Sequence, residues 1–370
     1  MSEKIGKIRI LVAAGSSGGH IFPALGFLDA LKDRNRDMEV LLVLPKRNIM
    51  KQLDAIGHKM RYIALSSFKL TPDFKIFISI FNLLKGSLES LFILSVFKPD
   101  IVVGFGSFTC FPFIMFAWLF RINNLIHEQN VIPGKANKFL ARFTDRIAVS
   151  FAETKEYLKS YPKKTVITGN PIRKGLSRID KNKALDYFNF SRDKFTILVM
   201  GGSQGSHRIN TEFLKAASQI PDKSKFQVIH LSGLKDYEWL KQGYKDLNVN
   251  IRLFSFLDVM QYAYSACDLA LSRAGATTMS EIIFFRLPAI IIPYPFASKH
   301  QLDNAEILKK MGSAIIIQDE ALDDIGALKQ TLEEFMNNTD RIKMMSSRYD
   351  NFPVAEASNL LVDEVLHLMQ

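Results

Sequence analysis

Cysteine is scarce in this sequence of 370 residues: only Cys110 and Cys267 occur, and both stand among apolar residues. Two such thiols predict small buried side chains in a reducing compartment rather than a disulfide bond. The charged first residues lead directly into an apolar segment, so the sequence predicts neither a signal peptide nor a transit peptide. We therefore expect a protein that stays in the cytoplasm.

The usual sequence marks of a metal site and of nucleic-acid binding are also missing. No Asp-x-Asp motif occurs, and the His-Glu-Gln-Asn sequence at residues 127–130 lacks the second histidine of a zinc protease. The basic residues are scattered, with neither a Lys/Arg block nor a zinc-finger spacing. The sequence therefore predicts no metal, no cofactor and no nucleic acid. Its net charge of +11 still favours an anionic membrane surface or a phosphorylated substrate as partner.

The pattern of apolar segments predicts two α/β domains. An apolar segment at Ile8–Ala14, a glycine-rich turn and a helix beginning near Phe22 are followed later by residues 196–200, a second glycine turn and another helix. This alternation favours parallel sheets covered by helices on both faces. The basic, irregular stretch after Gly169 marks a domain boundary. It gives domains at 1–170 and 171–350 and a closing C-terminal helix at 351–370.

Large apolar residues recur at helical spacing in residues 71–98. They are Phe77, Phe81, Leu84, Leu88 and Leu91. Charged residues interrupt this segment, and the uncharged segment at residues 108–120 is short, so neither predicts a membrane-spanning helix. We favour helices that face the core, and the alternative is a face that rests on an anionic bilayer. An exposed apolar patch on these helices would favour the face that rests on a bilayer.

Two glycine-rich turns each follow the first strand of a predicted domain. They are Gly-Ser-Ser-Gly-Gly-His at residues 15–20 and Gly-Gly-Ser-Gln-Gly-Ser at residues 201–206. Their glycines allow close approach of a ligand, and the helix-start amides attract an anion, although neither turn is a dinucleotide-binding or Walker motif. His20 has the pKa range of a general base, and Ser203 can donate its hydroxyl to a phosphate. The pair predicts a cleft with an anion site on each wall.

Polar side chains gather after other predicted strands as well. Residues 278–281 match a helix capping box with Thr278 as N-cap, while the alternative gives Glu281 to the hydroxyls of a ribose. The side-chain amide of Gln301 can form hydrogen bonds with sugar hydroxyls. The cluster at residues 127–130 predicts either ligand contact or a bracing network, because buried polar groups need partners. A further glycine turn at residues 104–107 is taken as a simple loop.

Five motifs occur in the order that characterises one enzyme family. They are Ser-Ser-Gly-Gly-His-Ile-Phe-Pro-Ala-Leu from Ser16, His-Glu-Gln-Asn from His127, Gly-Asn-Pro-Ile-Arg from Gly169, Gly-Gly-Ser-Gln-Gly-Ser from Gly201, and Ser-Arg-Ala-Gly-Ala-Thr-Thr-Met-Ser-Glu from Ser272 with His-Gln-Leu-Asp-Asn-Ala from His300. Over nearly its whole length the chain thus resembles the MurG family of peptidoglycan N-acetylglucosaminyltransferases, in glycosyltransferase family 28.

The resemblance implies an α/β chain of GT-B fold, in which two Rossmann-like, doubly wound parallel-sheet domains face a central cleft. The C-terminal helix would pack back on the first domain. The implied reaction is inverting transfer of N-acetylglucosamine from UDP-N-acetylglucosamine to the C4 hydroxyl of lipid I, the undecaprenyl-pyrophosphoryl-N-acetylmuramyl-pentapeptide, to give lipid II. The enzyme would be peripheral, with its first domain on the anionic cytoplasmic face of the membrane. Cell-wall synthesis and division proteins would be candidate partners.

The matching motif positions also imply roles for individual residues. The catalytic residues would be His20 and Glu128. The contacts of UDP-N-acetylglucosamine would be Ser17, Gly18, Gly19, Asn130, Arg173, Ser203, Leu257, Arg273, Ala276, Thr277, Thr278, Glu281 and Gln301. The acceptor and pyrophosphate contacts would be Gly18, Gly19, Gly104, Gly106 and Ser107. Ser203 would then meet phosphate, Arg273 and the backbone near Phe256 would border uracil, and Glu281 would hold the ribose.

Two departures from the family and three alternatives accompany this interpretation. The first loop reads Gly-Ser-Ser-Gly-Gly where the family usually has Gly-Gly-Thr-Gly-Gly, and its serine keeps the hydroxyl. The loop from Gly104 reads Gly-Phe-Gly-Ser where the family usually has a Gly-Gly-Tyr form, which leaves the acceptor contacts there open. Another GT-B lipid glycosyltransferase, such as a diacylglycerol sugar transferase, would carry similar motifs. A UDP-N-acetylglucosamine epimerase shares the fold and needs no lipid acceptor. Outside the enzymes, the alternative is a membrane scaffold that retains a nucleotide fold.

Overall fold

The computed structural model of the chain describes residues 7–34, 37–46, 59–65, 75–296, 300–351 and 356–370. The chain forms two compact units. Unit 1 consists of Met1–Arg173 together with Ala355–Gln370, and unit 2 is Lys174–Val354. Each unit is built around its own parallel β-sheet, so the prediction of two parallel-sheet α/β domains is confirmed.

Unit 1 is a parallel sheet between two layers of helices. Its strands are β1 (Ile8–Ala14), β2 (Met38–Pro45), β3 (Lys59–Ile63), β4 (Ile101–Phe105), β5 (Asn123–Glu128), β6 (Arg146–Val149) and β7 (Thr165–Ile167). Its helices are α1 (Gly18–Lys32), α2 (Lys75–Phe97), α3 (Cys110–Leu119), α4 (Lys135–Leu140) and, from the end of the chain, α13 (Ala357–His367), with a 3-10 helix at Ala152–Leu158.

The seven strands of unit 1 lie in the order β3-β2-β1-β4-β5-β6-β7. All of their pairings are parallel. β1 is central, which explains why its last five residues are all buried and apolar. The strand order reverses between β1 and β4, and in open sheets of this kind ligands bind beyond the strand ends at that point. The loops after β1 and β4 carry the first glycine turn and residues 106–107.

Each face of this sheet has its own core. On one face Phe27 and Leu28 of α1 pack with Leu361 and Val365 of α13, all fully buried. On the other face α3, α4 and the C-terminal half of α2 pack on the sheet through fully or nearly fully buried apolar residues such as Ile114. The C-terminal helix is therefore an integral layer of unit 1.

Unit 2 repeats the plan with six strands. They are β8 (Phe195–Met200), β9 (Phe226–Leu231), β10 (Asn250–Phe254), β11 (Leu269–Ser272), β12 (Ala289–Ile291) and β13 (Ala314–Ile316). Its helices are α5 (Lys181–Tyr187), α6 (His207–Gln219), α7 (Tyr237–Gly243), α8 (Met260–Ala266), α9 (Ala276–Phe285), α10 (His300–Lys310), α11 (Ile325–Asn337) and α12 (Thr339–Ser347). Short 3-10 helices lie at Lys223–Lys225, Glu320–Asp323 and Arg348–Asn351.

The sheet of unit 2 has the order β10-β9-β8-β11-β12-β13, and every pairing is parallel. Its strand order reverses between β8 and β11. The second glycine turn follows β8, and the Arg-Ala-Gly-Ala sequence from Arg273 follows β11. Both loops therefore stand at the position where this architecture binds ligands.

The favoured core-facing interpretation of residues 71–98 is wrong for one side of α2. Five large apolar side chains of that helix are exposed at successive helical spacings, and we call them the α2 stripe. They are Phe81 (67%), Leu84 (60%), Leu88 (68%), Phe92 (68%) and Val96 (64%). Leu91 is half-buried, and the side chain of Phe77 lies outside the described set. Among the described helices, none has the length and apolarity to cross a membrane.

Candidate functional site

The glycine turn after β1 leads directly into α1, whose N-cap is Ser17. The Ser17 side chain makes no capping hydrogen bond, and Ser17 and Gly19 are exposed while Gly18 is half-exposed. The helix starts at Gly18, four residues before the Phe22 start expected from the sequence. An exposed, glycine-rich helix start of this kind is a typical position for binding an anion.

The loop after β4 packs directly against the first glycine turn. Gly106 and Ser107 both have positive φ, of 72° and 69°. A Cβ on Gly15 would lie 2.4 Å from Cβ of Ser107, so only glycine fits there. The sulfur of Cys110, a residue whose predicted burial is confirmed, lies 2.7 Å from the carbonyl oxygen of Gly106. The sequence predicts a simple loop at residues 104–107, but Gly104 and Phe105 end β4, and Ser107 packs against the first glycine turn with a positive φ.

The His-Glu-Gln-Asn cluster at the end of β5 forms a buried hydrogen-bonded network within unit 1. His127, Glu128 and Gln129 are each at most 2% exposed. Gln129 bridges two histidines: its Oε1 lies 3.1 Å from Nδ1 of His20, and its Nε2 lies 3.0 Å from Nδ1 of His127. The structure thus connects the half-buried His20 to this cluster.

Glu128 holds the loop that follows β5. Its Oε1 accepts hydrogen bonds from the backbone N–H and the side-chain amide of Asn130, at 2.9 and 3.2 Å. Its Oε2 accepts from the N–H of Gly134 at 2.9 Å and from the amide of Asn137 at 2.8 Å. Both carboxylate oxygens are therefore engaged in bracing the loop. The catalytic role expected for Glu128 stays a prediction.

The pKa of the buried His127 is strongly lowered, and the pKa of His20 shifts in the same direction. Burial lowers the pKa of His127 to about 4, since the charged ring would lose its hydration. Burial also lowers the pKa of His20, although the charge of Glu128, the hydrogen bond with Gln129 and a hydrogen bond with the backbone of Phe105 act in the opposite direction. At neutral pH both rings are consequently uncharged, which is the form a general base needs.

Arg173 lies at the end of unit 1 against the start of α1. Its guanidinium stands 4.5 Å from the ring centroid of Phe22, a cation–π contact. Its buried Nε has no hydrogen-bond partner among the described residues. The backbone at Ile172 and Arg173 approaches Gly26 so closely that a Cβ there would lie 2.7 Å from a backbone carbon. Arg173 is thus held by packing while part of its hydrogen-bonding capacity is unused within the described chain.

The loop after β8 in unit 2 is as tightly built as the one after β1. Gly202 and Gly205 have φ of 92° and 76°, and a Cβ on Gly205 would lie 2.0 Å from the carbonyl oxygen of Ser232. Ser203 is exposed at the tip of this loop. Ser206 caps α6 by accepting from the N–H of Ile209 at 3.4 Å. Ser203 therefore stands exposed between two glycines with positive φ.

Arg273 is buried in unit 2 and ties several loops together. Its Nη1 donates to the carbonyl oxygens of Ile292 and Pro293, at 3.2 Å each, and to Asp319 at 2.5 Å. Its Nε donates to Oγ of Ser206 at 3.2 Å. Gln301 connects the same loops, since its Oε1 accepts from the N–H groups of Ala274 and Tyr294. Both residues thus hold together the loops at the strand ends, which are expected to surround the uracil and the sugar.

The capping box expected at residues 278–281 is wrong. Helix α9 begins at Ala276 with Gly275 as N-cap, which places Thr278 inside the helix and Glu281 in its second turn. The hydroxyl of Tyr264 instead donates to Oε2 of Glu281 at 2.6 Å. Tyr264 is itself 1% exposed and stacks on Phe285 with centroids 4.9 Å apart. Because glycine has no side chain, no N-cap side chain covers the start of α9.

The remaining predicted donor contacts lie at the same edge of unit 2. Ala276 is buried, Thr277 and Thr278 are half-buried in the first turn of α9, and Leu257 is 7% exposed after β10. Phe256, which precedes Leu257, is 37% exposed. Sequence reasoning missed Tyr264, because a tyrosine 17 residues before its partner gives no local signal. Among the described residues no group of three or more His, Cys, Asp or Glu side chains has the arrangement of a metal site.

Comparisons with known proteins agree with this geometry. Residues 10–149 match the glycosyltransferase family 28 N-terminal domain, and residues 196–361 match its C-terminal domain. The chain is 34% identical over 341 residues to a protein from Thermodesulfovibrio yellowstonii, covering 91% of this chain and 92% of that protein. It is 33% identical over 365 residues to one from Halothermothrix orenii, covering 96% and 98%. Both relatives are named UDP-N-acetylglucosamine--N-acetylmuramyl-(pentapeptide) pyrophosphoryl-undecaprenol N-acetylglucosamine transferase.

Solved structures show the same fold. The crystal structure of MurG from Acinetobacter baumannii matches with a TM-score of 0.75 and 25% identity, covering 98% of this chain and 99% of that one. A UDP-GlcNAc 2-epimerase from Neisseria meningitidis, bound to UDP-GlcNAc, matches with a TM-score of 0.68 at 18% identity, covering 97% and 100%. The second likeness shows the fold alone, and together they confirm the expected GT-B fold class. The matched domains and the full-length relatives show that the chain belongs to glycosyltransferase family 28.

Proposed function

We propose that this chain transfers N-acetylglucosamine from UDP-N-acetylglucosamine to the C4 hydroxyl of lipid I, with inversion at the sugar C1. The observation that carries the proposal is the 34% identity, over 91% of the chain, to a transferase named for this reaction. The glycine turns, His20 and Glu281 stand at the strand ends where the fold binds ligands, which supports it.

Unit 2 would hold the nucleotide sugar. The helix-start amides of α9 and the hydroxyl of Ser203 would meet the diphosphate, because both present donors to an anion. Glu281 would accept hydrogen bonds from the ribose hydroxyls, in the orientation that Tyr264 gives its carboxylate. Gln301, whose oxygen is used in bracing, would direct its amide nitrogen to the N-acetylglucosamine. Leu257 and Arg273 would frame the uracil.

The chemistry would take place beside the first glycine turn. The acceptor C4 oxygen attacks C1, the bond from C1 to the diphosphate oxygen breaks, and UDP leaves with the electron pair of that bond. His20 would take the proton of the C4 hydroxyl as general base. Negative charge on the departing UDP would be met by the helix-start amides and the Ser203 hydroxyl of unit 2. Gly18, Gly19, Gly106 and Ser107 would contact the acceptor pyrophosphate.

The α2 stripe fits a lipid-linked acceptor. Contiguous exposed apolar residues of this kind mark interaction sites, and Lys85 lies exposed within the stripe. With the net charge of +11, the stripe would rest on the anionic cytoplasmic face of the membrane as a peripheral contact. An epimerase, which acts on a water-soluble sugar nucleotide, has no use for such a surface. Contacts with cell-wall synthesis and division proteins stay a prediction.

The proposal is tested by following radiolabelled N-acetylglucosamine from the UDP-sugar into a lipid I analogue, with diacylglycerol offered in a parallel reaction. We expect label in the lipid I product alone. The Glu281→Gln variant should raise KM for the UDP-sugar about tenfold, because a neutral amide accepts the ribose hydrogen bonds less strongly than a carboxylate. Label in diacylglycerol instead would favour the other lipid glycosyltransferases. Interconversion of the UDP-sugar without acceptor would favour the epimerases.

The membrane contact is tested with a triple variant of the α2 stripe, Phe81→Ser, Leu84→Ser and Leu88→Ser. Losing about 3 kcal/mol of apolar transfer energy should lower partitioning to anionic vesicles about a hundredfold in sedimentation experiments. Leu234→Ser is the control, since Leu234 is 83% exposed in unit 2 and outside the stripe. Equal vesicle binding by the triple variant and the wild type would show that the stripe does not carry the contact.

A further inference from the structure

A chain of side-chain hydrogen bonds runs through unit 1 from a backbone carbonyl to the ring of His20. Nε2 of His127 lies 2.9 Å from the carbonyl oxygen of Gly169. Nδ1 of His127 lies 3.0 Å from Nε2 of Gln129, and Oε1 of Gln129 lies 3.1 Å from Nδ1 of His20. Each of the three side chains has both a donor and an acceptor. Which group donates in each hydrogen bond is therefore decided by contacts with backbone carbonyls, which can only accept.

The first fixed end determines the tautomer of His127. A carbonyl oxygen only accepts, so the ring nitrogen that faces Gly169 must carry the proton. Burial lowers the pKa of His127 to about 4, and the ring is therefore neutral at pH 7, with one proton only. With that proton on Nε2, Nδ1 has a lone pair and accepts from the amide of Gln129.

A second fixed end determines the orientation of the Gln129 amide independently. The nitrogen of this amide lies 3.2 Å from the carbonyl oxygen of His127, as well as 3.0 Å from its Nδ1. The carbonyl oxygen only accepts, so it alone requires the NH2 group on that side, and the amide oxygen must point to the other side. That oxygen faces His20 and can only accept.

We propose that Gln129 and His127 are positioning residues that hold the His20 ring in the tautomer with its proton on Nδ1 and its lone pair on Nε2. The inference rests on the proposed role of His20 as general base. It states which hydrogen bond keeps the Nε2 lone pair available to take a proton. Nδ1–H donates to Gln129, and Nε2 takes the proton of the acceptor hydroxyl. Catalytic triads use a buried carboxylate for the same task, and there the wrong tautomer costs about 10⁴-fold in kcat.

The surrounding backbone opposes rotation of the His20 ring. A Cβ on Gly106, at φ 72°, would lie 2.9 Å from Cε1 and 3.0 Å from Nδ1 of the ring. A Cβ on Gly15 would lie 2.8 Å from its Cδ2. Main chain therefore packs against the imidazole at two of its edges, and the ring stays oriented with Nδ1 toward Gln129.

The tautomer is read directly from protein labelled with 15N-histidine, by two-bond 1H–15N correlation spectra at neutral pH. The His20→Asn spectrum assigns the signals of His20. We expect Nδ1–H in the wild type. In Gln129→Leu we expect a mixture of tautomers and a kcat about ten- to a hundredfold lower, with KM for the UDP-sugar unchanged. Gln129→Glu keeps an acceptor for Nδ1–H, so it should keep the tautomer and recover part of kcat.

Gln227→Leu is the matched control, because Gln227 is a fully buried, hydrogen-bonded glutamine of unit 2. It should leave the His20 signals and kcat unchanged. Nε2–H on His20 in the wild type would overturn the inference, as would a Gln129→Leu protein with wild-type tautomer and kcat. If the chain failed to transfer sugar to lipid I, the spectra would still decide the tautomer. The two proposals therefore fail separately.

Discussion

Replacement of His20 by alanine should lower kcat for sugar transfer about 10²–10⁴-fold, the usual contribution of a positioned general base. KM for the UDP-sugar should change little, because the groups assigned to the donor belong mainly to unit 2. The structure favours this residue over Glu128 as the base, since both oxygens of Glu128 are engaged by the loop at residues 130–137. Steady-state kinetics with a lipid I analogue measures the effect.

The same prediction includes a pH dependence. Burial lowers the pKa of His20 from its ordinary value of 6.5. Only the neutral ring can take a proton, so kcat/KM should fall as the pH falls through this lowered pKa and should be level above it. His367→Ala, at an exposed position of α13, is the control that should keep both the rate and the acid limb. Near-normal turnover by His20→Ala would exclude the ring as base.

The sheets and the glycine turns were predictable because their signals are local. Continuous apolar segments such as β1 and β8 are typical of central parallel strands, and the structure places them as predicted or within one residue. Edge strands such as β3, which pattern reasoning missed, have mixed burial and no such signal. The polar residues after central strands converge because parallel strands end at one edge of a sheet.

Pairings between distant residues were not predictable. The segment from Thr278 to Glu281 has the composition of a capping box, but the helix starts at Ala276, and Glu281 pairs with Tyr264 from another helix. For the α2 stripe, helical spacing predicted an amphipathic helix and could not say which side the sheet would cover. Burial is decided by where α3 and the sheet pack, and this depends on the whole fold.

Replacement of Glu128 by alanine should destabilise unit 1 by about 3–5 kcal/mol, since it leaves four donors without their acceptor in a buried network. For a unit of this size the melting temperature should fall by roughly 10 °C in calorimetry. Glu212→Ala is the matched control. Glu212 is 4% exposed, but its partners Arg208 and Lys215 lie at the surface and can be hydrated when the carboxylate is removed.

Glu128→Gln separates bracing from chemistry. The amide keeps the shape of the side chain and one acceptor oxygen, but it places an NH2 group against donors on the other side. If Glu128 acts by holding the loop from Asn130 to Asn137, this variant should melt between wild type and Glu128→Ala, and its loss of kcat should be smaller than that of His20→Ala. A Glu128→Gln enzyme with wild-type melting and no turnover would instead place the carboxylate in the reaction. Such a variant would keep the fold and lack only the negative charge of the carboxylate and its ability to take a proton.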